Sequence, residues 1–77
     1  MVDVAQIKEH AEVIGSDGVH VGTVDHVDNG EIKLTKKDPA AGGLHHFIPV
    51  DFVRSVDGNT VHLDRAAEEV MREWSTS

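Results

Sequence analysis

The stretch Glu12–Val27 constrains the fold more than any other part of the chain. On either side of a glycine turn, its apolar and polar residues alternate with the two-residue period of a β-strand. The apolar positions change parity within the second strand, because Val19 and Val21 are odd whereas Val24 is even. A straight strand cannot bury all three side chains, so we predict a bulge or bend at Gly22. A small barrel needs such a bend in order to turn a corner.

Length and composition predict one small domain over residues 1–77. The chain has no cysteine, and only two Phe and one Trp, so Val, Ile and Leu must fill a core without disulfides. We expect a helical lead-in at 1–11, a barrel at 12–63 and a helix at 64–74. No run approaches the roughly 18 apolar residues of a membrane helix, and no signal-peptide pattern is present. We therefore expect a cytoplasmic protein without membrane insertion.

The charge balance bears on the choice of partner. Fourteen acidic residues against seven basic ones give a net charge of −7 and a pI near 5.1. Nucleic-acid binding usually requires a basic face, and only Lys33, Lys36 and Lys37 cluster here. We expect no nucleic-acid partner. The acidic surface favours instead a basic protein partner, with fast and salt-sensitive association.

Turn signals divide the chain into short elements. Asp3 and Gln6 predict a short capped helix within residues 1–11. Asn29-Gly30 is the strongest hairpin signal, since both residues tolerate a positive φ. Strands are predicted at Glu12–Ile14, Val19–Val27, Glu31–Lys36, His45–Val50, Arg54–Asp57 and Thr60–Leu63. Lys37–Leu44 is predicted to be the longest loop.

The C-terminal part predicts an amphipathic helix. Asp64 is expected to cap it, and the helix is expected to run from Arg65 to about Trp74. Its apolar residues share one face and are Ala67, Val70, Met71 and Trp74. This face is expected to pack on the barrel, with pairing of helices in a homodimer as the alternative. Ser75–Ser77 are expected to fray.

These elements predict a mainly β fold, namely a small antiparallel β-barrel of about five to six strands with a short N-terminal helix and a C-terminal α-helix. The opening hairpin, Gly15-Ser16-Asp17-Gly18 followed by Val21–Asp25, resembles that of PRC-barrel domains. That family is named after the photosynthetic reaction-centre H subunit and includes a domain of a ribosome maturation factor.

The downstream pattern is similar to the bacterial domain-of-unknown-function 2171 family, which is PRC-barrel-like. The likeness extends from about Ile7 to Trp74, and the residues that carry it are Lys33-Leu34-Thr35, His45-His46-Phe47-Ile48-Pro49 and Trp74. It implies a β-barrel used as a docking or regulatory module. The family has no established catalytic residues, so the resemblance assigns none to this chain.

Six histidines are the main candidates for chemistry. The weak candidates for metal ligands are His20, His26, His45 and His46. Adjacent strand residues point to opposite faces, so His45 and His46 should not share one ion, and no CxxC or HExxH motif is present. The favoured interpretation is a set of half-exposed histidines hydrogen-bonded to nearby carboxylates. Neither a metal nor another cofactor is expected.

No nucleophile–base or acid–base set is evident, so we expect no enzymatic activity and no catalytic residue. The predicted function is a small non-enzymatic interaction or regulatory module that docks to a protein partner or to itself. The alternative is a histidine-dependent metal-binding or pH-sensing protein. The candidate interaction residues are His45, His46, Phe47 and Trp74.

Overall fold

The computed structural model describes residues 6–39 and 42–76. Over these residues the chain forms seven strands and one α-helix. The strands are β1 (Glu12–Ile14), β2 (His20–Asp28), β3 (Glu31–Leu34), β4 (His46–Pro49), β5 (Val53–Asp57), β6 (Thr60–Leu63) and the two-residue β7 (Ser75–Thr76), and the helix is α1 (Ala67–Glu73). A single 3-10 turn at Val50–Phe52 joins β4 to β5. Among the described residues, no helix has the length and hydrophobicity that a transmembrane span requires.

The strands form one mixed sheet in the order β5-β6-β1-β2-β3-β4-β7. β1 and β6 are parallel, with Glu12 opposite Thr60, whereas all other neighbours are antiparallel. The edge strands β5 and β7 do not pair within the described ranges, so the sheet is not a closed barrel. The mainly β class and the C-terminal helix are confirmed, whereas the closed antiparallel barrel was wrong. A parallel pair needs a long connection, and the chain between Ile14 and Thr60 provides one.

β2 bends between the two halves of the sheet. Its first half pairs with β1, and its second half pairs with β3. Each pairing contains a bulge: Val21 is the extra residue opposite β1, and Asp25 is the extra residue opposite β3. Val21 and Val24 are both fully buried despite their different parity. In place of the single bulge predicted at Gly22, β2 therefore has two bulges that flank this residue. Gly22 itself permits close packing, since an added Cβ would lie 2.9 Å from Leu34 Cδ1.

The core lies between the sheet and α1. Alternate residues of the strands point into it, as the period of two requires. Its fully buried side chains are Val13, Val21, Val24, Ile32, Leu34, Ile48, Val61, Leu63 and Val70. The helix contributes Ala67 and Val70, as its predicted apolar face requires, and Trp74 packs against the same core.

The start of α1 is held by the turn between β1 and β2. The predicted cap, Asp64, makes no cap contact and instead accepts a hydrogen bond from its neighbour Arg65 at 2.7 Å. The Ala67 amide donates to Asp17 Oδ1 at 3.3 Å, and the Ser16 amide donates to the Arg65 carbonyl at 2.9 Å. A side chain 50 residues away therefore replaces the predicted local cap.

The predicted N-terminal helix is not supported. Residues 1–5 lie outside the described residues, and residues 7–11 are not helical. His10 has a φ of 68° and its amide donates to the Val24 carbonyl at 2.8 Å, while the Val24 amide donates to the Ala11 carbonyl at 2.9 Å. These backbone groups form hydrogen bonds with β2 and therefore cannot form the hydrogen bonds of a helix.

The C-terminal segment also differs from the prediction. Ser75 and Thr76 do not fray but form β7, with Ser75 opposite Phe47 and Thr76 opposite His46. Ser77 lies outside the described residues. The short strand therefore continues the sheet beyond β4.

Candidate functional site

Asp38 is a buried carboxylate in the loop that follows β3, with only 7% of the residue exposed. Its Oδ2 lies 2.7 Å from His20 Nε2 and accepts a hydrogen bond from Thr23 Oγ1 at 2.6 Å. The other ring nitrogen, His20 Nδ1, lies 3.0 Å from Glu12 Oε2. These four residues, which we call the histidine–carboxylate network, connect β1, β2 and the β3–β4 loop.

The geometry of the network favours a doubly protonated ring. A carboxylate can only accept, so each contact of His20 needs an N–H group, and only the imidazolium has two. The hydrogen bond to Glu12 is the largest cause that raises the pKa of His20 above 6.5. Partial burial opposes this rise, and Asp38 adds to it through its hydrogen bond and its charge. The side chain of His20 is 39% exposed, so its proton can exchange with solvent.

The network holds the first part of the β3–β4 loop against β2. The Thr35 amide donates to the Thr23 carbonyl at 2.9 Å. The Lys37 amide donates to Thr35 Oγ1 at 3.2 Å, which is a local turn typical of threonine. Further along the loop, the Asp38 side chain contacts β2 again, at His20 and Thr23. The loop is thereby placed against the first half of β2.

A cleft of about 480 Å³ lies between this loop and β2. We call it the β2–loop cleft. Its lining includes Lys36 and Lys37 from the loop, Asp25 from β2, and the imidazoles of His10 and His45. The volume falls within the range of about 300–1,000 Å³ that ligand pockets usually occupy. Two of the three lysines of the chain's basic cluster, Lys36 and Lys37, therefore border a concave surface.

His45 has a fixed orientation at the cleft. Its Nδ1 lies 3.1 Å from the Leu34 carbonyl oxygen. Because that oxygen only accepts, Nδ1 carries a proton and donates it. In the neutral ring Nε2 can then accept a hydrogen bond, and in the imidazolium it can donate one.

The other predicted site residues lie elsewhere. His46 is buried and stacks on Trp74, with ring centroids 3.7 Å apart and planes 12° apart. Phe47 is half-buried, on the opposite face of β4 from His46. His26 is exposed, and its Nδ1 lies 3.9 Å from Asp25 Oδ2.

The structure therefore separates the four candidate metal ligands His20, His26, His45 and His46. Across residues 6–39 and 42–76, no group of three His, Cys, Asp or Glu side chains is arranged to hold a metal ion. Of the four, His20 alone bridges two carboxylates in this part of the chain.

Sequence reasoning missed Asp38 and Glu12. An aspartate that follows two lysines in a loop is typical of a solvated position, and nothing local indicates burial. The Asp38-Pro39 pair predicts a turn, because a residue before proline is biased away from helix. The His20 partners come from 8 and 18 residues away, so local patterns carry no signal for the network.

A family model for an uncharacterized protein conserved in bacteria (DUF2171) matches residues 7–71. The chain belongs to this bacterial family. The match confirms the resemblance to the domain-of-unknown-function 2171 family and does not test the likeness to PRC-barrel domains. It includes every residue of the histidine–carboxylate network and the lysines of the β2–loop cleft. No curated protein and no solved structure matches the chain.

Proposed function

We propose that this DUF2171 protein is a non-enzymatic interaction module that binds a protein partner in the β2–loop cleft. The main support for this proposal is the cleft, which has Lys36 and Lys37 in its lining. The loop that carries both lysines is attached to β2 by the buried Asp38. Neither lysine takes part in an ion pair with a described residue. Both are therefore available to a ligand. The likeness of the opening hairpin to PRC-barrel domains also supports a docking role.

The network favours a structural role over catalysis. The Thr23 hydroxyl donates to Asp38 and not to an imidazole, so His20 does not activate it as a nucleophile. His20 has both ring nitrogens engaged by carboxylates and would first have to release one of them to act as a base. These contacts hold the loop and leave the cleft for binding.

Affinity capture with a blocked cleft tests this proposal. Lys37→Trp places an indole at the cleft, and Arg54→Trp replaces another exposed cation with the same side chain on β5, outside this cleft. We expect the wild type and Arg54→Trp to retain the same protein from a lysate of the source bacterium, and Lys37→Trp to lose it. Equal retention by Lys37→Trp would contradict docking in this cleft.

Docking to a second copy is tested by sedimentation of the full chain at high micromolar concentration. If the partner is another copy, we expect a dimer in the wild type and in Arg54→Trp and a monomer in Lys37→Trp. A dimer that persists in Lys37→Trp would contradict self-docking through the cleft.

The second candidate function is pH sensing, which the two carboxylate contacts of His20 favour. Loss of one ring proton leaves a lone pair facing either Glu12 or Asp38, so the loop loses part of its attachment as pH rises. Glu12 from β1 and Asp38 from the loop are the charged groups that face the ring.

Amide exchange at Lys37 and Asp38, measured from pH 6 to 9, tests whether the loop opens as His20 loses a proton. Faster opening at high pH in the wild type, and not in His20→Gln, would support it; equal pH dependence in both would contradict it.

A further inference from the structure

We infer that the β2–loop cleft binds an acidic peptide segment of the partner, with its carboxylates on Lys36 and Lys37. This inference rests on the proposed docking function and specifies the chemistry of the ligand. The sequence alone favoured a basic partner because the net charge is −7. The local distribution of charge around the cleft leads to the opposite expectation.

The positive charges of the chain are not equally available. Arg65 contacts Asp64 at 2.7 Å and Glu73 at 3.2 Å, and Arg72 lies 3.8 Å from Glu68. These arginines are therefore partly neutralised by neighbouring acids. Lys36 and Lys37 have no such ion pair with any residue in 6–39 or 42–76 and lie side by side at the cleft.

The acidic groups at the cleft do not cancel the two lysines. Asp38 is buried, and its Oδ2 is already within hydrogen-bond distance of His20 Nε2 and the Thr23 hydroxyl, so it presents little charge to a ligand. Asp25 is the other carboxylate in the lining, and it lies 3.9 Å from His26 Nδ1. A ligand in the cleft therefore meets two exposed lysines and the half-buried Asp25, a balance that favours a negative ligand.

The surroundings favour a short peptide over a nucleic acid. Pro39, an exposed residue of the lining, offers apolar contact to the methylene groups of glutamate side chains. A longer polyanion would extend beyond two lysines on a chain whose net charge is −7 and whose Glu12, Asp28 and Glu31 are exposed. Nucleic-acid affinity comes largely from many phosphate contacts, which two lysines on an acidic chain do not supply.

Titration of the ¹⁵N-labelled full chain with capped pentapeptides tests the inference. We expect pentaglutamate to shift the amide resonances of Val24, Asp25 and the loop residues 35–39. Lys36→Gln and Lys37→Gln should each weaken binding roughly two- to fivefold, as exposed ion pairs do. Arg54→Gln removes the same charge on β5 and should leave the affinity unchanged. Raised salt should weaken pentaglutamate binding.

The matched probes separate the alternatives. If pentaglutamine or pentalysine shifts the cleft resonances as strongly as pentaglutamate, docking stands and the acidic specificity is wrong. If a thymidine pentanucleotide binds there and pentaglutamate does not, the ligand is a nucleic acid and the inference is overturned. If no probe shifts the cleft while capture still depends on Lys37, the acidic-peptide inference fails and docking survives. If capture is also unaffected by Lys37→Trp, both proposals fail.

Discussion

At the scale of single residues, His20 links protonation to structure. It contacts one carboxylate through each ring nitrogen, at 3.0 Å from Glu12 and 2.7 Å from Asp38. A neutral imidazole donates only one N–H, so the other carboxylate would then face a lone pair. The arrangement is therefore more stable with the ring charged, which agrees with the raised pKa of His20.

We predict that the stability of the protein falls as pH rises through the pKa of folded His20. Because this pKa is raised above 6.5, the contribution of His20 is fully present below pH 6.5 and is lost above the folded value. His20→Gln should flatten this part of the profile. At pH 6 it should cost roughly 1–3 kcal/mol, because the buried Asp38 loses a charged donor. Urea unfolding from pH 6 to 9 provides the measurement.

The control for this experiment is His26→Gln. His26 is exposed and lies 3.9 Å from Asp25, so its removal should leave the pH profile close to that of the wild type. A wild-type slope in His20→Gln, or a flattened slope in His26→Gln alone, would show that the pH dependence arises elsewhere.

At the scale of elements, the β1–β2 turn and the start of α1 form one unit. Gly15 lies directly against the helix, and an added Cβ would overlap the Ala67 amide nitrogen and approach the Ala66 carbonyl carbon to 3.0 Å. Both are backbone atoms that cannot rotate away. Gly18, in the same turn, has open space around it but a φ of 79°. Two nearby glycines are thus required for different reasons.

We predict that Gly15→Ala destabilises the protein more than Gly18→Ala. The first change forces the helix away from the turn and should cost more than about 3 kcal/mol, the upper end of ordinary overpacking. The second should cost about 1–2 kcal/mol, the usual penalty for a side chain in the left-handed region. Urea midpoints at constant m-value give both figures. The reverse order would mean that the turn does not pack on α1.

Local signals predicted the elements well. The bounds of β1 and β6 are as predicted, and Asn29 and Gly30 have the positive φ values, 51° and 76°, that the hairpin signal required. The parallel pairing of β1 with β6 was missed, as was the cap from Asp17. Both join segments more than 40 residues apart, and periodicity describes only neighbours in the chain.

The candidate site was predictable only in part. Histidines hydrogen-bonded to carboxylates were expected as a class, and His20 has that arrangement. The identity of its buried partner was not predictable, since Asp38 is in a polar loop whose path depends on long-range contacts. The lysine cluster was visible in the sequence, but its position at a cleft depends on the same loop.

At the scale of the whole molecule, Trp74 joins the end of the helix to the far part of the sheet. It follows α1, stacks on the ring of His46 in β4 and leads directly into β7. β7 has two residues and a single neighbouring strand, so backbone pairing alone gives it little stability. The ring stack is therefore the contact that brings the C-terminal segment to the sheet.

We predict that Trp74→Ala releases β7 and leaves the β2–loop cleft intact. The cost should be roughly 1–3 kcal/mol, below the about 3–5 kcal/mol of a fully buried aromatic residue, because Trp74 is only half-buried. Amide exchange at Ser75 and Thr76 should become fast while the Thr35 amide stays protected. Trp74→Phe retains a stacked ring and should keep β7 in place. Because the stack lies within one chain, Trp74→Ala should sediment as the same species as the wild type. A change of oligomeric state, or slow exchange in β7 without the indole, would assign Trp74 to an interface between copies instead.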